Sequence, residues 1–254
     1  MNYKIEVIIL NKIIEMLGNI ETRNNIEILY AVESGSRIYG FANKDSDYDV
    51  RFVYKRPLKK YLNIIHPKKD VINFMSKDKK YDLVGWDINK ALYLHYKSNP
   101  TLREWILSPI KYKDNPQLFE DLPKFNLENL YQHYYSLAKF NYRKYCTDDL
   151  TKFNHKKYLY VFRGLLSCQY INKYNREPPI NINELKTHFP EVLEQINILI
   201  NYKEISKEQL IEYNSLVQNL FKKLYKKPSK VLVDDKDRLK IEECYNNKFL
   251  EIVL

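Results

Sequence analysis

The chain has 254 residues, 44% of them hydrophobic and 29% charged, enough apolar material for one large core or two smaller ones. That balance excludes a disordered or fibrous chain, and the three cysteines, Cys146, Cys168 and Cys244, are too scattered for a disulfide framework or a compact zinc site. A formal net charge of +10 favours anionic partners without choosing among nucleic acid, nucleotide and membrane surface. The opening residues lack a basic leader with a cleavage site, and no segment has the apolar length of a bilayer span. The expectation is a cytoplasmic protein with no membrane partner.

In chain order, residues 4 to 17 carry apolar side chains at near-helical spacing, which predicts an amphipathic helix ended by Gly18 and Asn19. "IEILYAVES" reads as a buried strand broken at Gly35, where a short helix can start. "SDYDVRFVY" alternates, with Asp47, Asp49 and Arg51 on one side and Tyr48, Val50 and Phe52 on the other. Beyond Arg56-Pro57, "DVINFMS" and "KYDLVG" predict two more strands. Asp87 is placed to cap the helix "INKALYLHYKS", and "NPTLREWILSP" predicts a short helix. From Phe125 onward, periodic stretches at 127–146, 153–173, 182–200 and 206–226 predict a bundle interrupted by "CTDD", "NREPP" and "NYKEIS". The fold class is therefore α+β, a mixed sheet with flanking helices followed by a helical-bundle lobe. The expected domains are a catalytic domain over 1–122 and a helical substrate- and nucleotide-binding domain over 123–254. Residues 229–254 stay open between a last helix of the bundle and an element returning to the first lobe.

The stretch "GSRIYGFANKDSDYDVR" carries the chemistry. Gly35 lets backbone approach a phosphate, and the Ser36 hydroxyl can donate to it. Two aspartates at i and i+2 of a strand share a face, where they suit a pair of hard Mg²⁺ ions. A glycine-serine turn alone is usually just a turn, and D-x-D alone is usually a solvated strand face. Neither the P-loop pattern nor a dinucleotide G-x-G-x-x-G is present. The joint order of strand, Gly35-Ser36, Gly40 and Ser46-Asp47-x-Asp49 is much more specific.

That order closely resembles the signature of the polymerase-beta-like nucleotidyltransferase superfamily. The longer "AVESGSRIYGFANKDSDYDVRFVY", with "YDLVGWDINKAL", "NPTLREWILSPIKY" and "HKKYLYVFRGLLSCQYINKYNREPP", is similar to its RNA-ligase-associated branch of predicted nucleotidyltransferases. The resemblance covers about 26 to 190. It implies transfer of a nucleoside monophosphate from an NTP to an acceptor hydroxyl, with release of pyrophosphate and two Mg²⁺ ions, or Mn²⁺ in their place. It implies that Gly35 and Ser36 hold phosphate and that Asp47 and Asp49 bind both metals. A third carboxylate is expected from a neighbouring strand, where Asp82 competes with Asp87 and is favoured because Asp87 has a capping role. An RNA end is the acceptor the branch suggests, with a small molecule or a protein side chain as alternatives. A non-catalytic nucleotide- or RNA-binding module on the same scaffold is the competing class, and a protein partner stays undefined.

Other side chains carry two readings each. Arg37 can reach a phosphate or pair with Glu33 or a nearby aspartate, and Arg51 can meet substrate or orient a carboxylate, or serve only as a structural ion pair. Lys156, Tyr160 and Arg163 share a face of a predicted helix; the resemblance implies basic groups there for the triphosphate and a surface for the base, whereas a plain bundle surface needs no function of them. Lys157 is the neighbouring alternative. His66, His95, His133, His155 and His188 form no ligand motif and read as structural or surface residues.

Overall fold

The computed structural model describes residues 5–64, 69–146, 148–201, 204–225 and 235–254; His66 lies outside them. The chain divides into two compact units, Met1–Lys124 with Leu232–Leu254, and Phe125–Val231.

The first unit begins with α1 (Val7–Asn24), which runs well past the stop expected at Gly18 and Asn19. A mid-helix glycine costs about 1 kcal/mol relative to alanine, and here Ile20 outweighs it. Ile20 extends the buried stripe of Ile13 and Leu17 by one more turn. The helix ends instead at Asn25, whose φ of 50° is left-handed.

Next come β1 (Glu27–Glu33), α2 (Gly35–Tyr39), β2 (Tyr48–Lys55), α3 (Leu58–Tyr61), β3 (Val71–Met75) and β4 (Tyr81–Asp87). They are followed by α4 (Ile88–Tyr96), α5 (Pro100–Ile106), β5 (Lys111–Lys113) and α6 (Gln117–Glu120). The five strands form one sheet in the order β3-β4-β2-β1-β5. β2 and β4 run parallel, and every other neighbouring pair is antiparallel.

Both faces of the sheet are covered. Ile13, Leu17 and Ile20 of α1 pack on Ile28, Val50, Phe52, Tyr54, Tyr81 and Leu83. The other face buries Tyr30, Val32 and Val53 under Ile88, Leu92, Leu102 and Trp105 from α4 and α5. A register shift between Ile28 and Tyr30 lets the adjacent Leu29 and Tyr30 serve that same second core.

α12 (Asp235–Val253) belongs to this first unit, whereas the sequence expectation placed everything beyond 122 in the second domain. Tyr245 and Val253 join the α4–α5 core, with Ile241, Phe249 and Ile252 packed beside them. The Tyr245 hydroxyl lies 2.8 Å from Nδ1 of the buried His95, and Lys55 Nζ donates to the Ile252 carbonyl at 3.1 Å. Burial pushes the His95 imidazole down to about 4, so it is neutral near pH 7.

The second unit contains α7 (Leu127–Tyr145), α8 (His155–Tyr174), α9 (Ile182–Leu185), α10 (Leu193–Asn201) and α11 (Lys207–Leu224). The helix expected over 182–200 is broken. Two 3₁₀ turns, Lys186–His188 and Pro190–Val192, separate α9 from α10, because Pro190 cannot continue a helix from the preceding turn. Among the described residues no helix is long and apolar enough to cross a membrane.

Gly85 stands opposite Phe52 in the parallel pair, and a Cβ there would lie 2.0 Å from the Phe52 ring. Gly85→Ala is therefore expected to destabilise the protein by about 1–3 kcal/mol, the usual cost of overpacking a core. Gly18→Ala has open space around it and is expected to stabilise by about 0.5–1 kcal/mol. Urea midpoints of the two variants, moving in opposite directions, check both.

Candidate active site

The parallel register pairs Tyr48 with Tyr81 and Asp49 with Asp82. Tyr48 and Tyr81 turn toward α1 and stack, with ring centroids 5.4 Å apart and an interplanar angle of 14°. Asp49 and Asp82 therefore turn to the opposite face, because side chains alternate along a strand. That same face of β2 continues through Arg51 to the fully buried Val53. The carboxylates thus sit where the covered core gives way to an accessible edge.

The two acids meet on one cation. Arg51 Nη2 donates to Asp49 Oδ1 at 2.7 Å and to Asp82 Oδ2 at 2.9 Å. Its Nη1 donates to the Asp82 carbonyl at 2.9 Å and the Val50 carbonyl at 3.1 Å. Burial raises the Asp49 carboxyl above its ordinary value; Asp47 and Asp82 add to the rise, and Arg51 opposes it. Asp47 is exposed and stands one residue before β2.

Gly35 lies directly against this cluster. Its φ is +63°, and a Cβ on it would fall 1.8 Å from Asp49 Oδ2. Only glycine combines that left-handed backbone with so close a carboxylate. It opens α2, and the first turn of a helix presents N–H groups that have no intrahelical acceptor. Ser36, in that turn, is 5% exposed.

Behind the turn stands Glu33, a fully buried acid at the end of β1. It accepts from the Asp49 amide at 3.1 Å through Oε1 and from the Tyr112 hydroxyl at 2.6 Å through Oε2. The Ser34 amide returns a hydrogen bond to the Asp49 carbonyl at 2.8 Å. Arg37 belongs to this framework: its Nε is 3.4 Å from Glu33 Oε1, and its Nη2 donates to the Ser46 carbonyl at 2.7 Å. Its guanidinium carbon lies 3.9 Å from the centre of the Tyr48 ring. The side chain weighed as a phosphate ligand thus ties β1, α2 and the start of β2 together. Sequence reasoning had reached Glu33 only as a partner for Arg37. The lone acid inside "YAVES" was the available signal, while Tyr112 gave none.

Asp87 occupies the other end of β4, opposite Tyr54. It caps α4 by accepting from the Asn89 amide, and also accepts from the Tyr61 hydroxyl and Arg56 Nε, each at 3.1 Å. It is 4% exposed. Lys156, Tyr160 and Arg163 all lie on α8 of the second unit, with Lys156 and Tyr160 half-buried and Arg163 buried.

Among the described residues, no group of three or more His, Cys, Asp or Glu side chains is gathered to hold a metal ion. The converging acids, Asp49 and Asp82, close on Arg51 instead. The guanidinium is nevertheless an informative stand-in: their oxygens already point at a shared cation, and carboxylate oxygens are the ligands Mg²⁺ prefers.

Burial raises the Glu33 carboxyl from its ordinary 4.5 to about 7. A carboxyl raised by folding contributes stability that is present below about 4.5 and is lost as the pH climbs through about 7. Wild-type stability should fall across that window relative to Glu33→Gln, which has no proton to lose. Chemical denaturation of both proteins from pH 4 to 8 checks the difference, and parallel curves would overturn it.

The family model of RlaP, described as the RNA repair pathway DNA polymerase beta family, matches residues 9–248. The Bacillus subtilis (strain 168) protein YcgL, described as uncharacterized, is 39% identical over 210 residues, covering 79% of each chain. A solved structure of a nucleotidyltransferase-like protein from Exiguobacterium sibiricum 255-15 aligns over 83% of this chain and 75% of its own, with 11% identity and a TM-score of 0.38. With the matching model spanning nearly the whole sequence, the chain belongs to the RNA repair pathway DNA polymerase beta family.

Proposed function

We propose that this protein transfers a nucleoside monophosphate from an NTP to an acceptor hydroxyl, with an RNA end as the acceptor. The family supports nucleotidyltransferase chemistry in general. The observation that carries the finer reading is the convergence of Asp49 and Asp82, from neighbouring parallel strands, on one cation beside Gly35. The words RNA repair in the family description, together with the net charge of +10, support the acceptor.

In this reading the acceptor oxygen forms a new bond to the α-phosphorus as the bond from that phosphorus to the bridging oxygen breaks. Pyrophosphate leaves with the bonding electron pair. Asp82 is the carboxylate nearest the attacking hydroxyl and draws its proton away. Gly35 and Ser36 donate to the β- and γ-phosphates from the start of α2. Asp47, Asp49 and Asp82 would hold divalent ions, Mg²⁺ or Mn²⁺, which supply Lewis-acid charge to the phosphates and the attacking oxygen. Asp87 is left out, because its oxygens are taken by the α4 cap, Tyr61 and Arg56.

One observation favours a second reading, a binding module without catalysis. The acids already form a satisfied ion pair with Arg51, as a purely structural pair would. Incubation with each labelled NTP, Mn²⁺ or Mg²⁺, and separate pools of RNA, protein and small metabolites distinguishes the two. Labelled RNA with released pyrophosphate is the expected result. Label on protein or metabolites would replace the acceptor. Nucleotide binding without pyrophosphate would favour the module.

Changing Asp47, Asp49 or Asp82 to Asn is expected to lower turnover by more than the roughly 10–100-fold typical of residues that only support a metal ligand. Asp87→Asn should keep turnover and instead lose about 1–3 kcal/mol of stability, the cost of disrupting a buried polar network. Paired activity and unfolding measurements on the four variants check both halves.

A further inference from the structure

Arg51 does more than fill a gap between two acids. Its side chain is 16% exposed and held at four points: one oxygen each of Asp49 and Asp82 through Nη2, and the Asp82 and Val50 carbonyls through Nη1. The planar fork of arginine suits such a fixed set of acceptors, which a lysine ammonium could not span. The cation is thus part of the β2–β4 pair and not a loose surface charge.

A guanidinium and a divalent ion compete for the same feature, two converging carboxylate oxygens. Nη2 lies 2.7 and 2.9 Å from those oxygens and fills the space between them. Mg²⁺ draws its oxygen ligands to about 2.0–2.1 Å. A divalent ion held by both Asp49 and Asp82 would compete with that nitrogen for these oxygens, and two cations so close would repel each other strongly in a partly buried site.

We infer that Arg51 is the resident counterion of this carboxylate pair and sets how readily the site takes up a divalent ion. Without an ion, it holds Asp49 and Asp82 together and offsets their charge. Were both acids to hold an ion, Arg51 would give up at least one of them. The inference rests on the metal-dependent reading above. Its consequence is a site preassembled from its own chain and reluctant toward free metal.

A structural ion pair and a competing counterion make opposite predictions for metal affinity. Removing a merely structural arginine leaves two repelling acids, a less stable protein and a looser site. Removing a competitor tightens metal binding. The test is a Mn²⁺ titration of the full chain without nucleotide, followed by electron paramagnetic resonance, on wild type, Arg51→Gln, Arg51→Lys and Asp82→Asn. Melting temperatures are recorded in chelator and in Mn²⁺.

Arg51→Gln is expected to bind Mn²⁺ about tenfold or more tightly than wild type, the factor matching the loss of a charge-assisted hydrogen bond. Its melting temperature should fall in chelator and recover with Mn²⁺ by a larger shift than wild type shows. If Arg51→Gln does not fold, Arg51→Lys carries the test. It keeps the charge but not the four-point grip, and should bind Mn²⁺ several-fold more tightly than wild type. Binding in the arginine variants equal to or weaker than wild type, with Asp82→Asn impaired, overturns the counterion role and leaves the metal reading intact. Absence of Mn²⁺ binding in wild type and both arginine variants overturns the two together.

Discussion

The parallel pairing of β2 with β4 decides where Asp49 and Asp82 of the candidate site point. Seven consecutive residue pairs run from Tyr48–Tyr81 to Tyr54–Asp87. Because the side-chain period of a strand is two, a slip of one residue would carry Asp82 to the α1 face, away from Asp49. The register is pinned on both faces. On the α1 side, Tyr48 stacks on Tyr81 and the ring of Phe52 lies across Gly85, where no larger residue fits. On the other side, Arg51 clamps Asp49 and Asp82 and also takes two backbone carbonyls. Packing and electrostatics therefore select the same alignment, a consistency that favours a single native pairing.

The local charges behave differently from the global ones. The chain carries an excess of ten positive charges, yet its most chemically poised region is built around acids. Glu33 is buried behind the glycine turn, with its carboxyl pushed up to about 7, while Asp49 lies nearer the accessible edge and touches Arg51. The two are joined by the Asp49 amide, which donates to Glu33. A carboxylate that fixes the backbone of another carboxylate can shape the site without touching a ligand. Arg37 completes that support by reaching from α2 to Glu33, to the Ser46 carbonyl and to the Tyr48 ring.

Local signals made four of the first unit's five strands legible. "IEILYAVES", "SDYDVRFVY", "DVINFMS" and "KYDLVG" are short β-favouring runs separated by turn residues, whereas the three-residue β5 (Lys111–Lys113) offered no such run. Sequence could also see that Asp87 had a cap to make, and the side chain does accept from Asn89. What sequence could not supply was distance. Tyr112 reaches Glu33 from 79 positions away. Tyr245 reaches His95 from 150. Neither contact leaves a periodic trace, so neither Glu33's hydroxyl partner nor the return of α12 could be read. The overrun of α1 failed for another reason: Gly18 was weighed as a stop, although Ile20 beyond it continued the buried stripe.

The glycine-serine turn and the paired aspartates are weak signals separately because each has an ordinary explanation, and their geometry shows why they are informative together. Gly35 is not required by the turn alone. A left-handed residue there could be asparagine at modest cost, but any side chain would drive its Cβ into Asp49 Oδ2, 1.8 Å away. The glycine is therefore demanded by the aspartate, and the aspartate is held by the strand end that the turn follows, through the Ser34 amide and Glu33. The two motifs form one object, in which a helix start and a carboxylate approach as closely as a missing side chain allows. A solvated strand face gains nothing from that closeness. In the proposed reading, that closeness sets phosphate-binding N–H groups beside the acids that would hold the counter-charges.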